Sequence, residues 1–333
     1  MSASAHIVDP SKIQTELDKI WNQIDKTNKV RASLFNLIIY TKKNKRTDYI
    51  YAIVQKVIER FPSRVIFISE NGEEQLKTAV SVMNASTGDF VIACDLIEIL
   101  CSKKNQMEVP FVILPHLVPD LPIYMLWEDD PSVENPLFTE LQKYATRIIF
   151  DSETTDNLPR FAKTVLSAKC EVADLNWARI EPTREVLSTT CEHKEKLELL
   201  LHTKEVKIVY NEVQSDYFTH PKIPATYLQS WLATRMGWDP KIITLETQKI
   251  EKLPPGMILS IDFATNTNYH LSFQRNIESP NQILSIYSTP EHCDIPINFI
   301  FPKQESGQSL IKEIFHKGTS SHYLKVMENI AKC

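Results

Sequence analysis

The chain has 333 residues, 43% hydrophobic and 24% charged, which are globular values for a length that favours two cores over one. A formal net charge of −5 argues against a nucleic-acid or anionic-membrane binder, since phosphate backbones select for clustered Lys and Arg. Six glycines, no two within ten residues of each other, exclude GxGxxG, GxxxxGK and any other glycine-rich phosphate cradle, and GxSxG is absent as well.

The start MSASAHIVDP is polar, and no apolar run approaches the roughly 20 residues that cross a bilayer, so a cytoplasmic protein is expected. Ser11 to Lys26 carries Ile13, Leu17, Ile20, Trp21 and Ile24 at helical spacing, an amphipathic N-terminal helix within residues 1–30. Arg31 to Thr41 reads as a strand, Tyr49 to Phe61 as a helix ended by Pro62, and Arg64 to Ser69 as a second buried strand. This β–α–β order predicts parallel neighbours. Leu76 to Asn84 and Phe90 to Leu100 flank the turn Ser86, Thr87, Gly88, Asp89 and read as a hairpin, which makes the sheet mixed.

Pro110 to Asp130 combines an apolar helical run, the stop Pro119, Asp120, Pro122, and an unbroken apolar strand from Ile123 to Trp127. A strand apolar at every position has both faces buried, and its carboxyl end is where open α/β sheets bind ligands. A helix from Leu137 to Ala145, a strand from Arg147 to Phe150 and a helix from Leu158 to Ala168 complete a layered α/β domain over residues 31–173. Residues 174–185 are read as a hinge. An α+β domain over residues 186–333 follows, with a long helix from Val186 to Leu201, a strand from Val206 to Tyr210 and a helix from Pro224 to Gly237. Alternating strands with turn-rich joints from Lys241 to Phe301 then predict an antiparallel β-meander, and two short helices finish the chain.

Glu70, Glu128, Asp129, Asp130, Asp151 and Glu153 would cluster if their strands are neighbours, and such a set could hold Mg²⁺ for chemistry on a phosphosugar or nucleotide. The simpler account is that Asp130 or Ser132 and Asp151 or Ser152 cap helices. The run Lys42 to Arg46 is read as a solvated loop. His116 and His193 lack partners at ligand spacing, and Cys94, Cys101, Cys170, Cys191, Cys293 and Cys333 form no CxxC or zinc pattern, so no metal or cofactor is expected. On one strand Cys94 and Cys101 would stand about 23 Å apart, beyond disulfide reach, and thiols are the expected state. Arg31, Arg64, Arg147, Arg179 and Arg184 sit at strand starts or in the hinge, where ion pairing with neighbouring acids competes with binding of a phosphosugar or a partner carboxylate. Trp127 and Trp177 lie beside charged residues, a pairing enriched at interface hot spots.

Several stretches, taken in order, resemble the glucose-6-phosphate dehydrogenase assembly protein family, OpcA. They are SRVIFIS (Ser63 to Ser69), LVPDLPIYMLWEDD (Leu117 to Asp130), RIIFDS (Arg147 to Ser152), DLNWARIEPTRE (Asp174 to Glu185) and LQSWLATRMGW (Leu228 to Trp238). Thr183 stands where the family usually has tryptophan, and Trp127 where a double tryptophan is common. The resemblance implies a non-catalytic accessory protein, not an enzyme, that binds glucose-6-phosphate dehydrogenase and promotes its assembly or allosteric activation in the oxidative pentose phosphate pathway. Partner-binding candidates are then Trp127, Glu128, Asp129, Asp130, Asp151, Trp177, Arg179 and Arg184. Self-association is left open.

Overall fold

The computed structural model describes residues 5–24, 29–72, 74–87, 90–192, 194–265, 269–289, 291–292, 295–303 and 307–332. His193, Cys293, Cys333 and the turn residues Gly88 and Asp89 lie outside them. The chain forms two compact units, Met1–Asp174 with Leu310–Thr319, and Leu175–Ser309 with Ser320–Cys333.

The first unit runs β1 (His6–Val8), α1 (Ile13–Ile24), β2 (Lys29–Arg31), β3 (Asn36–Lys42), α2 (Lys45–Arg60), β4 (Arg64–Glu70), β5 (Lys77–Thr87), β6 (Phe90–Cys101) and α3 (Val109–Ile113). It continues with β7 (Ile123–Glu128), α4 (Pro136–Leu141), β8 (Arg147–Phe150), α5 (Leu158–Ser167) and β9 (Glu171–Asp174). All nine strands share one mixed sheet, whose path is β1-β5-β6-β4-β3-β7-β8-β9 with β2 on β6. From β6 to β9 along this path every pairing is parallel. Numbered along the chain from β3 and leaving out the antiparallel β5, those six strands stand in the order 3-2-1-4-5-6. That is the doubly wound arrangement of the Rossmann fold. The uninterrupted apolar strands account for it: β3 and β4 are buried at every position but the last, and β8 throughout, as a sheet covered on both faces requires.

Helix α2 covers one face with Ile50, Ile53, Val54, Val57 and Ile58. Its start is fixed by a reciprocal cap in which Asn44 accepts from the Arg46 N–H and the Thr47 hydroxyl accepts from the Asn44 N–H. At the amino edge of the strands, fully buried Asn36 donates to the carbonyls of Val118 and Leu121 and accepts from the Val118 N–H, which pins the turn after α3. That turn contains Asp120 at φ 63°, the left-handed region where Asp is among the few tolerated side chains. Nearby, buried Asp95 on β6 accepts from Arg64, from Arg31 at 2.7 Å and from the Trp21 indole at 2.7 Å. Three cross-chain ties thus end on one carboxylate. On the far side of the sheet, buried Arg147 donates to the carbonyls of His316 and Gly318, and the Val172 N–H donates to Thr319 at 2.9 Å.

The second unit contains α6 (Leu175–Arg179), α7 (Glu181–Cys191), α8 (Lys194–Leu201), β10 (Thr203–Asn211), α9 (Lys222–Met236), β11 (Ile243–Gln248), β12 (Ile258–Thr265), β13 (His270–Arg275), β14 (Gln282–Ser288) and β15 (Ile297–Ile300). Helix α10 (Gln308–Phe315) lies mostly within the segment Leu310–Thr319 that belongs to the first unit, and α11 (Ser321–Ile330) belongs to the second. The second sheet runs β11-β10-β12-β13-β14-β15, antiparallel from β10 through β12 to β15. The expected meander holds for its last four strands. Strand β11 departs from it, because α9 carries the chain across the sheet and returns β11 parallel to β10. The helix expected from Val186 to Leu201 is two helices, α7 and α8, with the β-branched, weakly helical pair Thr189 and Thr190 just before the break.

Replacing Asp95 by Asn strips the charge facing Arg64 and Arg31. About 3–5 kcal/mol of stability should be lost in urea unfolding, and a loss no larger than that of the surface control Asp18→Asn would refute this role. The thiols of Cys94 and Cys101, fully buried, are pushed up by burial to about 11 and about 12. Both should stay unreactive toward Ellman's reagent at pH 8 until the protein is unfolded, since the thiolate is the nucleophile.

Candidate functional site

In a 3-2-1-4-5-6 sheet the ligand crevice opens at the carboxyl ends of the strands where the order reverses, here between β3 and β7. A bound dinucleotide would place its pyrophosphate on the turn from β3 into α2, against free N–H groups of the helix start. In this chain that turn is Lys43 and Asn44, and the helix start is already capped. Asn44 takes the Arg46 N–H at 2.8 Å, and the Lys43 N–H is bonded to the Glu70 carbonyl at 2.8 Å. With no glycine present, the backbone also cannot come close to a phosphate.

Arg46 reaches from the first turn of α2 into the crevice. Its Nη2 lies 2.9 Å from Glu128 at the end of β7 and 2.7 Å from Asp151 just past β8. The two carboxylates are almost completely buried and the guanidinium nearly so. Burial alone would lower the Arg46 pKa, but the attraction of Asp151 and Glu128 more than reverses this, so the guanidinium stays charged. Beside it, Lys42 pairs with Asp129 at 2.7 Å. Tyr40 donates to Glu70 at 2.8 Å and accepts from Asn135 at 3.3 Å, and burial, reinforced by Glu70, raises its pKa, keeping it a neutral donor. The Tyr40 ring stacks on Trp127 with centroids 4.0 Å apart and planes 8° from parallel. From Trp127 an aromatic series continues through Phe138 at 4.8 Å to Phe150 and Phe161.

Of the sequence-predicted acids, Glu128, Asp151 and Asp129 are therefore held by neighbouring cations and Glu70 by the Tyr40 hydroxyl. Asp130 accepts from the Ser132 N–H and the Thr155 hydroxyl, and Asp151 also accepts from the Glu153 N–H. Among the described residues no group of three or more His, Cys, Asp or Glu is placed to hold a metal ion. What the sequence reading missed was the cation: Lys42 to Arg46 was read as a solvated loop. Its position between the first strand and the first crossover helix was the available signal, because that turn always faces the crevice of such a sheet.

The remaining candidates lie in the second unit. Trp177 is buried beneath the Arg184 guanidinium, 3.5 Å from the ring centroid, and Arg184 donates to the Trp177 carbonyl at 3.1 Å. Arg179 bonds to Asn176 at 2.7 Å and lies over the Phe218 ring. Of the eight partner candidates, Trp127, Glu128, Asp151 and Trp177 are buried, while Asp129, Asp130, Arg179 and Arg184 are partly exposed.

Residues 54–166 match the family model described as glucose-6-phosphate dehydrogenase subunit N-terminal domain, and residues 170–327 match the one for its C-terminal domain. The protein named "Putative OxPP cycle protein OpcA" in Synechococcus elongatus is 24% identical over 198 residues, covering 57% of this chain and 43% of that protein. Its namesake in Nostoc punctiforme is 25% identical over 197 residues, covering 56% and 41%. These matches span well under half the length of the curated relatives. Among solved structures, the 3-ketoreductase KijD10 from Actinomadura kijaniata is a distant likeness, with a TM-score of 0.46 and 8% identity over 89% of this chain and 94% of that chain. The paired domain matches, together with the relatives that share them, place the sequence: the chain belongs to the OpcA family of glucose-6-phosphate dehydrogenase assembly proteins.

Proposed function

We propose that this chain is a non-catalytic accessory protein that binds glucose-6-phosphate dehydrogenase and promotes its assembly or allosteric activation, and so serves the oxidative pentose phosphate cycle. The observation that carries the reading is the filled crevice. A Rossmann sheet whose switch point is occupied by Arg46, Glu128 and Asp151 keeps the scaffold and gives up the cradle for a dinucleotide. The descriptions of the two matched domains and the name of the relatives support the choice of partner.

Activation by such a protein is population shift. It must bind one state of the enzyme more tightly than another, and a coupling of about 1–3 kcal/mol changes an affinity roughly 5- to 150-fold. On the carboxyl edge, the partly exposed Asp129 and Asp130 are the contacts we assign to the partner. Trp127, Glu128 and Asp151 act beneath them by holding the edge rigid. In the second unit the partly exposed candidates are Arg184, over Trp177, and Arg179, over Phe218. The Mg²⁺-dependent alternative has no observation in its favour, since the acids it would need are committed to Arg46, Lys42 and backbone N–H groups.

Adding the chain to glucose-6-phosphate dehydrogenase should raise turnover or lower the apparent KM, with a complex on a sizing column. Unchanged kinetics at saturation and no complex would reject the reading. Asp129→Lys should weaken that complex at least tenfold while leaving the melting temperature within a few degrees, and full binding by this variant would move the contact elsewhere. Arg46→Leu leaves two buried carboxylates facing each other without a cation. It should lose about 3–5 kcal/mol at pH 7, and lowering the pH toward 5 should restore part of the loss, because protonation removes the uncompensated charge.

A further inference from the structure

The second unit contains a cavity of about 530 Å³, within the usual range for small-molecule sites. Among the described residues Arg275, Lys252 and Lys303 bring positive charge to its lining, and the lining carboxylate Glu278 is paired with Lys252. A positive hollow in a chain of net charge −5 is a local arrangement, not a reflection of composition.

Arg275 is its centre. The guanidinium donates to the Ile258 carbonyl at 2.7 Å, to the Pro280 carbonyl at 2.5 Å and to the Thr183 hydroxyl at 3.1 Å, all neutral acceptors. Of the five N–H groups an arginine carries, two are left without a protein partner among the described residues. Among the described residues no carboxylate is paired with it, and burial pushes its pKa down to about 10. Arg64, Arg147 and Arg46 in the first unit each face a carboxylate, so the contrast is within one molecule. A half-buried cation without a paired carboxylate among the described residues costs free energy, and an anion entering the cavity removes that cost.

The walls are fixed in advance. Fully buried Asn211 donates to the carbonyls of Ile250, Leu253 and Pro254 and accepts from the Ile250 N–H, which sets the loop running from β11 to β12. Gly256, at φ 69°, lies so close to Pro224 that a Cβ would stand 2.9 Å from its ring carbon. Pro254, Pro255, Pro280 and Pro302 stiffen the rest of the rim. A preformed pocket spends little binding energy on ordering itself.

We propose that this cavity binds a small phosphorylated organic molecule, its phosphate held by Arg275 with the two lysines. With Lys252 offset by Glu278, Arg275 and Lys303 supply two positive charges, which match a phosphate dianion. Ile180, Met257 and Phe301 with Asn281 offer a mixed surface to the ligand's body. The site is independent of the accessory role, which stands or falls by the enzyme-binding assays.

Calorimetric titration of the full chain with glucose 6-phosphate, inorganic phosphate and glucose at matched ionic strength tests the proposal. Glucose 6-phosphate should bind at least tenfold more tightly than inorganic phosphate and raise the melting temperature, while glucose should do neither. Arg275→Met, if folded by circular dichroism, should cost at least tenfold in affinity. Should that variant fail to fold, Lys252→Gln with Lys303→Gln, which leaves the Arg275 bonds in place, should weaken binding severalfold and flatten its salt dependence. No binding, equal binding of glucose and its phosphate, equal binding of inorganic and sugar phosphate, or full affinity in the folded variants would each overturn it.

Discussion

The clasp of Arg46 on Glu128 and Asp151 is the constraint on which the first unit depends. Each of the three residues comes from a different βα junction, so one guanidinium joins the ends of β7 and β8 to the start of the first crossover helix. Buried charges of one sign at the end of a parallel sheet repel each other and resist desolvation unless a cation lies within hydrogen-bond distance. The arrangement converts the place where such a sheet normally holds a ligand into a structural joint. The stacked Tyr40 and Trp127 rings beneath it add apolar packing to the same joint.

The amino edge of the sheet uses the same chemistry in another form. Asp95 collects two guanidinium groups and an indole, and Asn36 satisfies both its amide and its carbonyl on the turn that contains Asp120. Both edges of the sheet are thus tied by polar side chains of high sequence separation, while the middle rests on the strand ladder and apolar burial. Against this pattern the cavity around Arg275 stands out, since there a guanidinium is satisfied by carbonyls and a hydroxyl with charge left over.

Much of this was legible in the residues. Uninterrupted apolar strands gave the parallel sheet, the absence of clustered glycine excluded a phosphate loop, and the carboxylates were placed together at one edge. Strand order was not legible, because nothing local tells β6 to lie beyond β4 or β11 to pair with β10; those are choices of crossover. Arg46 was missed because a run of lysine and arginine looks the same whether it is solvated or reaches inward, and only the three-dimensional junction decides. Arg275 carried no signal at all, since its surroundings come from segments up to 92 residues away in the sequence.

The segment Leu310–Thr319 has a consequence for how the molecule comes into being. Because Arg147 finds its acceptors at His316 and Gly318, the earlier half of the chain waits, as it leaves the ribosome, for a piece synthesised about 170 residues later. Until then the guanidinium at the start of β8 has Glu171 beside it but lacks these two carbonyls. A shortened version stopping at Asp174 would lack those acceptors permanently, so no single cut separates the two units.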